Sequence, residues 1–226
     1  MNLLRKDRGW TSYQNRGGIY LMEHSLAYNM LISQINATGS QKLDGYYPNI
    51  MEEIYDWERD EVEKIIWETF HRNKDTDLAI FLPKLKNYSG IDALKKMLKE
   101  CNIPSGNSLN IADVLYRETK EREYLNVIRD NIRADEDNVS AVAKLSYLPP
   151  DDDALKLLEE IYINSNNKTV RSAAVTGILY NKGIIKDIND LNEIQEKINI
   201  KRKFILNEKT QREKIIEELE NEKLFE

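Results

Sequence analysis

The sequence predicts an all-α chain in which antiparallel helix pairs stack into an α-solenoid, and three observations carry that expectation. Apolar positions recur at helical spacing, and the same spacing returns about every 30 residues. Helix breakers are scarce, with nine Gly and five Pro. Charged residues make up 32% of the chain, which suits long solvent-facing helix sides better than a sheet covered on both faces. At 226 residues, one elongated domain or two small ones are within reach, with room for a substantial core.

The elements follow in chain order. Residues 1–18 are polar and contain Gly, so a loop or arm is expected there. Residues 20–36, "YLMEHSLAYNMLISQIN", read as a first helix. The stretch "YPNIMEEIYDWERDEVEKIIWETFHR" places Ile54, Trp57, Val62, Ile65, Ile66, Trp67 and Phe70 at helical spacing, as one long helix or two joined near Asp56. The repeats come next. "VSAVAKLSYL" at 139–148 overlays "VRSAAVTGIL" at 170–179, pairing Val142 with Ala173, Ala143 with Ala174 and Ser146 with Gly177. Earlier copies lie at Leu109, Ile111, Ala112 and Leu115, and at Ala79, Phe81, Leu82 and Leu85. A second series follows at Leu94 and Leu98, Tyr124 and Ile128, and Ala154 and Leu158. Each half-unit is the stripe of an amphipathic helix, so helix pairs are expected over 79–100, 109–132, 139–162 and 170–198. One pair of this length cannot bury its stripe alone, and stacked pairs share a continuous core. Small residues at Ala173, Ala174 and Gly177 make 170–179 an inner helix that a neighbouring backbone approaches closely.

Breaks fall between these segments. Pro83 kinks or ends its helix, Pro104-Ser105-Gly106 precedes Leu109, and Pro149-Pro150 precedes "DDDALKLLEEIY". Asp151, Asp152 and Asp153 sit where a helix N-terminus favours carboxylates, and Asn166-Asn167 is placed to cap the next helix. After a helical stretch at 191–200, "NEKTQREKIIEELENEKLFE" closes the chain as a charged capping helix whose apolar positions are Ile215, Ile216 and Leu219. The expected organisation is one continuous domain, with an N-terminal arm and helices over 1–74, repeats over 75–200 and a C-terminal capping helix over 201–226.

"VRSAA" followed by "GIL" resembles the Val-Arg-x-x-Ala core of HEAT and HEAT-like repeats, and the short period is similar to the short HEAT-like variety. The resemblance covers roughly residues 75–185. Only the last copy carries the Arg, Arg171, while Ser140 and Asn110 occupy the corresponding places.

Charge and chemistry bound the function. The formal charge is −6, so phosphates and anionic lipid meet no general attraction, and nucleic acid is disfavoured as a partner. Residues 1–50 nevertheless carry five Lys or Arg against three Asp or Glu. A single cysteine, Cys101, excludes an intramolecular disulfide, and with His24 and His71 far apart no Cys/His zinc site is expected. The start, "MNLLRKDRGW", lacks the apolar run of a secretory signal, and no stretch is long and apolar enough to span a membrane. A cytoplasmic location is therefore expected.

Two acidic groups are the candidate partner-binding residues. The run Glu52, Glu53, Asp56, Glu58, Asp60, Glu61 and Glu63 reads either as a docking face for a basic protein or as a solvated helix side interleaved with Arg59 and Lys64. From it, Glu52, Glu53, Asp56 and Asp60 are the candidates. Asp151, Asp152 and Asp153 form the second group, with helix capping as the competing role. His24 beside Glu23 and His71 near Glu68 are the only acid–base pairings in the sequence, and nothing completes either. No Gly-rich phosphate loop, nucleophile elbow or HExxH occurs, so no catalytic residue, cofactor or metal is expected. Twelve tyrosines are either interface residues or helix-end residues with a buried ring and a wet hydroxyl.

The expected function is a non-catalytic protein-binding α-solenoid that takes a basic protein partner, as an intracellular inhibitor or an adaptor. A small acidic helical-repeat protein also resembles some bacterial immunity proteins, which implies a basic toxin as the partner. The alternative is a HEAT-like DNA glycosylase or another nucleic-acid-binding repeat protein. For that reading Trp57 and Trp67, ten residues apart, would share a face if one continuous helix carried both.

Overall fold

The computed structural model describes residues 3–6, 10–15, 18–39, 45–206 and 208–220. The chain divides into two compact units, Met1–Met97 and Leu98–Glu226. The repeat region expected over 75–200 therefore straddles this division.

The first unit opens with three strands, β1 (Leu3–Lys6), β2 (Trp10–Asn15) and β3 (Gly18–Glu23), in an antiparallel meander with order β1-β2-β3. Leu3 pairs with Tyr13 and Lys6 with Trp10, while Trp10 pairs with Glu23 and Asn15 with Gly18. This corrects the loop or arm expected over 1–18 and the helix expected to begin at residue 20. Local spacing did not disclose these strands because their pairing partners, not their own periodicity, hold them in an extended form. From Leu26 onward every regular element among the described residues is helical.

The first helix, α1 (Leu26–Asn36), starts where the Ser25 Oγ accepts from the Tyr28 amide at 3.0 Å. Two short 3-10 turns, Ile50–Glu52 and Asp56–Glu58, precede α2 (Arg59–Asn73). The helix thus begins only at Arg59, which corrects the continuous helix that would have carried both Trp57 and Trp67. Residues Thr76–Lys84, the expected inner helix of the first repeat copy, form a 3-10 run containing Pro83. Proline removes the amide that an α-helix would need there. Its Leu78, Ala79, Phe81 and Leu82 are nonetheless buried, against α2. The next helix, α3 (Gly90–Glu100), begins so close to this run that a Cβ on Gly90 would overlap the Leu82 carbonyl.

The second unit carries helices over the segments expected at 109–132 and 139–162, whereas the second half of the pair expected over 170–198 is split into two six-residue helices. Its helices are α4 (Gly106–Thr119), α5 (Arg122–Ala134), α6 (Val139–Ser146), α7 (Asp152–Asn164), α8 (Lys168–Asn181), α9 (Leu191–Glu196), α10 (Ile198–Lys203) and α11 (Lys209–Glu220). Each neighbour in the run from α4 to α8 packs on the next, and α4 also meets α6, as α6 meets α8. The caps expected from the sequence form at Asp151 and Asn167, and Asn138 is a further one. Asn138 accepts from Ala141 N at 3.0 Å, and Asn167 from Thr169 N at 2.9 Å. Such caps are each worth about 1 kcal/mol.

Residues 170–179 occupy the inner position expected of them. Val170, Ala174, Val175, Gly177, Ile178 and Leu179 are buried, and α8 is pressed on both α6 and α7. Ser146 and Gly177, the positions that the sequence overlay pairs, face one another. A Cβ on Gly177 would lie 2.8 Å from Ser146 Cα, and the Ser146 hydroxyl donates to the Ala173 carbonyl at 2.9 Å. At the C-terminal end, α11 buries Ile215, Ile216 and Leu219 and packs on α7. Among the described residues no helix is long and apolar enough to cross a membrane.

Candidate functional site

The acidic run in the first unit separates into two kinds of carboxylate. Glu58 is fully buried, and both its oxygens are saturated. Oε1 accepts from the Ser25 amide at 2.7 Å and lies 3.0 Å from His24 Nδ1. Oε2 accepts from the Ser25 hydroxyl at 2.7 Å and the Tyr55 amide at 3.0 Å. A buried carboxylate needs such compensation for lost hydration. Glu58 therefore ties the start of α1 to the turn preceding α2.

Glu63 is the second buried member. It accepts from Arg59 Nε and from the Lys86 and Asn87 amides, all at 3.0 Å. Burial pushes its carboxyl up, but the two amides and the Arg59 guanidinium outweigh that and hold it below the ordinary value. Arg59 also donates to the Met51 carbonyl at 2.7 Å and the Lys84 carbonyl at 3.0 Å. One guanidinium thus joins α2 to a 3-10 segment on either side. The sequence places Glu58 and Glu63 in an undifferentiated charged run, and no local signal marks them as buried.

The four candidate residues of this run stay on the surface in differing states. Glu52 lies 3.6 Å from Lys84 Nζ, and Asp60 accepts from the Asn87 side chain at 3.0 Å. Glu53 and Asp56 are exposed and meet no cation among the described residues. Between them Tyr55 is 53% exposed. Below it, aromatic rings form a ladder. The Tyr55 and Trp57 centroids are 6.4 Å apart, Trp57 and His24 5.2 Å, and His24 and Tyr28 3.8 Å and stacked. The Tyr55 amide bond to Glu58 and the reciprocal Glu58 N to Tyr55 O bond at 2.9 Å fix the turn. The surface group Glu53, Tyr55 and Asp56 is therefore held in place by buried anchors, a preorganised acidic and aromatic patch.

The second candidate group, in the other unit, is mostly committed to structure. Asp151 caps α7, accepting from Asp153 N at 3.0 Å and Ala154 N at 3.1 Å. Burial raises its carboxyl, while these amides and the Tyr116 hydroxyl lower it to a net value below the ordinary one. The buried Tyr116 phenol is raised in turn, by burial first and then by Asp151. Asp153 pairs with Arg122. Only Asp152 is exposed without a cation among the described residues.

Neither expected acid–base pairing forms. His24 faces Glu58 rather than Glu23, and the Ser25 hydroxyl bonds the carboxylate rather than the imidazole, so Ser25, His24 and Glu58 do not make a nucleophile–base relay. His71 lies 2.9 Å from the Trp67 carbonyl, and Glu68 lies near Lys64 at 3.7 Å. Trp67 stacks on Tyr88 at 4.7 Å, apart from the Trp57 ladder. Among the described residues no His, Cys, Asp and Glu group is arranged to hold a metal ion.

No protein-family model, curated protein or solved structure matches this chain. Its functional reading rests on its own residues.

Proposed function

We propose that this is a non-catalytic protein-binding protein whose helix pairs form a HEAT-like α-solenoid and whose acidic patch docks a basic protein partner. Such a protein would act inside the cell as an inhibitor of the immunity-protein kind or as an adaptor. The observation that carries this reading is Tyr55, exposed between Glu53 and Asp56, two carboxylates that meet no cation among the described residues, and held by the buried Glu58. Tyrosine offers a large contact area and a hydrogen bond at low entropic cost, and carboxylates around it steer a cationic surface. The repeat reading draws support from Ser146 and Gly177, equivalent positions that meet between α6 and α8.

The test is association kinetics with a basic partner captured from the native cell, at two ionic strengths. Glu53→Lys with Asp56→Lys is expected to slow association by roughly fivefold to tenfold and to flatten its salt dependence, with little change in dissociation. Neither side chain makes an ion pair among the described residues, so the fold should persist by circular dichroism. An unchanged rate and salt slope would reject the patch as the docking site.

A further inference from the structure

Cations in a folded interior are ordinarily paired, because an ion taken out of water loses several kcal/mol of hydration that only a counter-charge or good hydrogen bonds restore. One region of the second unit departs from this. Between α8 and α10 lies a cavity of about 320 Å3, lined by the buried Arg171 and the half-buried Lys201, with the exposed Lys168 and Arg202 at its rim. Among the described residues no carboxylate lines it. In a chain with 39 Asp and Glu against 33 Lys and Arg, four cations lining one cavity with no carboxylate among its described lining is a specific arrangement.

Among the described residues, the bonds of Arg171, Lys201 and Arg202 are to neutral groups. Arg171 is only 7% exposed and donates from Nη1 to the Ser165 and Asn166 carbonyls at 3.0 and 2.9 Å. Lys201 donates to the Thr176 hydroxyl at 2.8 Å, and burial pushes its ammonium below the ordinary lysine value. Arg202 reaches the Asn199 side chain at 3.4 Å. Behind Arg171, the buried Arg212 donates to the same Ser165 carbonyl at 3.3 Å, and its Nε has no hydrogen-bond partner. The remaining wall is largely apolar, from Val175, Ile198, Phe204 and Ile205. Phe204 is fixed from beneath, since its carbonyl accepts from the buried Tyr162 hydroxyl at 3.0 Å.

We propose that this cavity binds a small organic phosphate, whose doubly charged head is met by Arg171, Lys201, Lys168 and Arg202 while its apolar body lies on Val175, Ile198, Phe204 and Ile205. A guanidinium fork can donate to two oxygens of a tetrahedral phosphate at once, which suits Arg171 to such a head, and Lys201 supplies a second, half-buried donor. A concave site with apolar walls and a few convergent polar groups is the general form of a small-molecule pocket. This site is separate from the acidic patch and does not depend on it.

Isothermal titration of the whole protein with phenyl phosphate, inorganic phosphate and phenol as probes tests the proposal. Phenyl phosphate is expected to bind at least about tenfold more tightly than either fragment, because only it uses both walls. Lys201→Gln removes one charge at little change in length and should weaken phenyl phosphate about tenfold or more. Should that variant unfold, Arg202→Gln at the exposed rim should weaken binding several-fold with an unchanged circular dichroism spectrum. No heat with phenyl phosphate at millimolar concentration would overturn the proposal. So would equal binding of phenol, which would leave only an apolar hole, equal binding of inorganic phosphate, which would leave only a surface charge effect, or unaltered affinity in the charge variants.

Discussion

Replacing Gly177 by Ala is the sharpest probe of the packing between α6 and α8, because the methyl has nowhere to go. Its carbon would lie 2.8 Å from Ser146 Cα, 2.8 Å from Ser146 Cβ and 2.8 Å from Leu158 Cδ1. Carbon atoms prefer about 3.5–4.0 Å, so three contacts are each too short by roughly 0.7 Å. Leu158 is fully buried and cannot swing into solvent, and Ser146 Cα belongs to the backbone of α6. The helices must part, at an overpacking cost of about 1–3 kcal/mol. Parting them also stretches the Ser146 hydroxyl bond to Ala173, worth about 1 kcal/mol. Against this stands a gain of about 1 kcal/mol from the better helix propensity of alanine. The net expectation is a loss of about 1–3 kcal/mol, or several degrees in Tm at about 2–4 °C per kcal/mol for a chain of this size. Gly106→Ala supplies the contrast, since no atom lies within 4 Å of a Cβ at that helix start. There the substitution should be neutral or stabilising by up to about 1 kcal/mol. Thermal and urea denaturation of the two variants measure both effects. A Gly177→Ala protein as stable as the parent would refute the close approach of α6 and α8.

Two further expectations concern pH. The Glu63 carboxyl lies below its ordinary value in the fold, so its stabilisation is complete above the unfolded value and is lost as pH falls through the folded one. Glu63→Gln should therefore lower stability near neutrality and give a shallower acid limb, and parallel limbs in parent and variant would exclude the role. Burial pushes the Tyr162 phenol up to about 12, so its contribution is intact below the unfolded tyrosine value and fades as pH rises through about 12. Tyr162→Phe should remove one late-titrating phenol from the ultraviolet absorbance curve and shorten the alkaline loss of stability. Retention of that titration in the variant would assign it elsewhere.

The helices from residue 106 onward were legible before any tertiary contact was known, because apolar spacing and capping residues act within one or two turns. Ser105, Asn138, Asp151 and Asn167 all accept backbone amides within three residues of themselves, and such geometry is written locally in the chain. The strands before residue 24 were not legible, since an extended segment is held by partners elsewhere in the sequence. Nor did spacing separate Glu53 and Asp56, which face solvent, from Glu58 and Glu63, which are buried. Their difference arises from groups 23 to 33 residues away, the Ser25 amide and hydroxyl for Glu58 and the Lys86 and Asn87 amides for Glu63. The cationic cavity was hidden for the same reason. "INIKRKF" at 198–204 reads as an ordinary charged helix, and only its packing on α8 brings Lys201 and Arg202 to the same cavity as Lys168 and Arg171. Local hydrogen bonding and periodicity settle which segments coil, whereas burial and charge pairing depend on which distant segments meet.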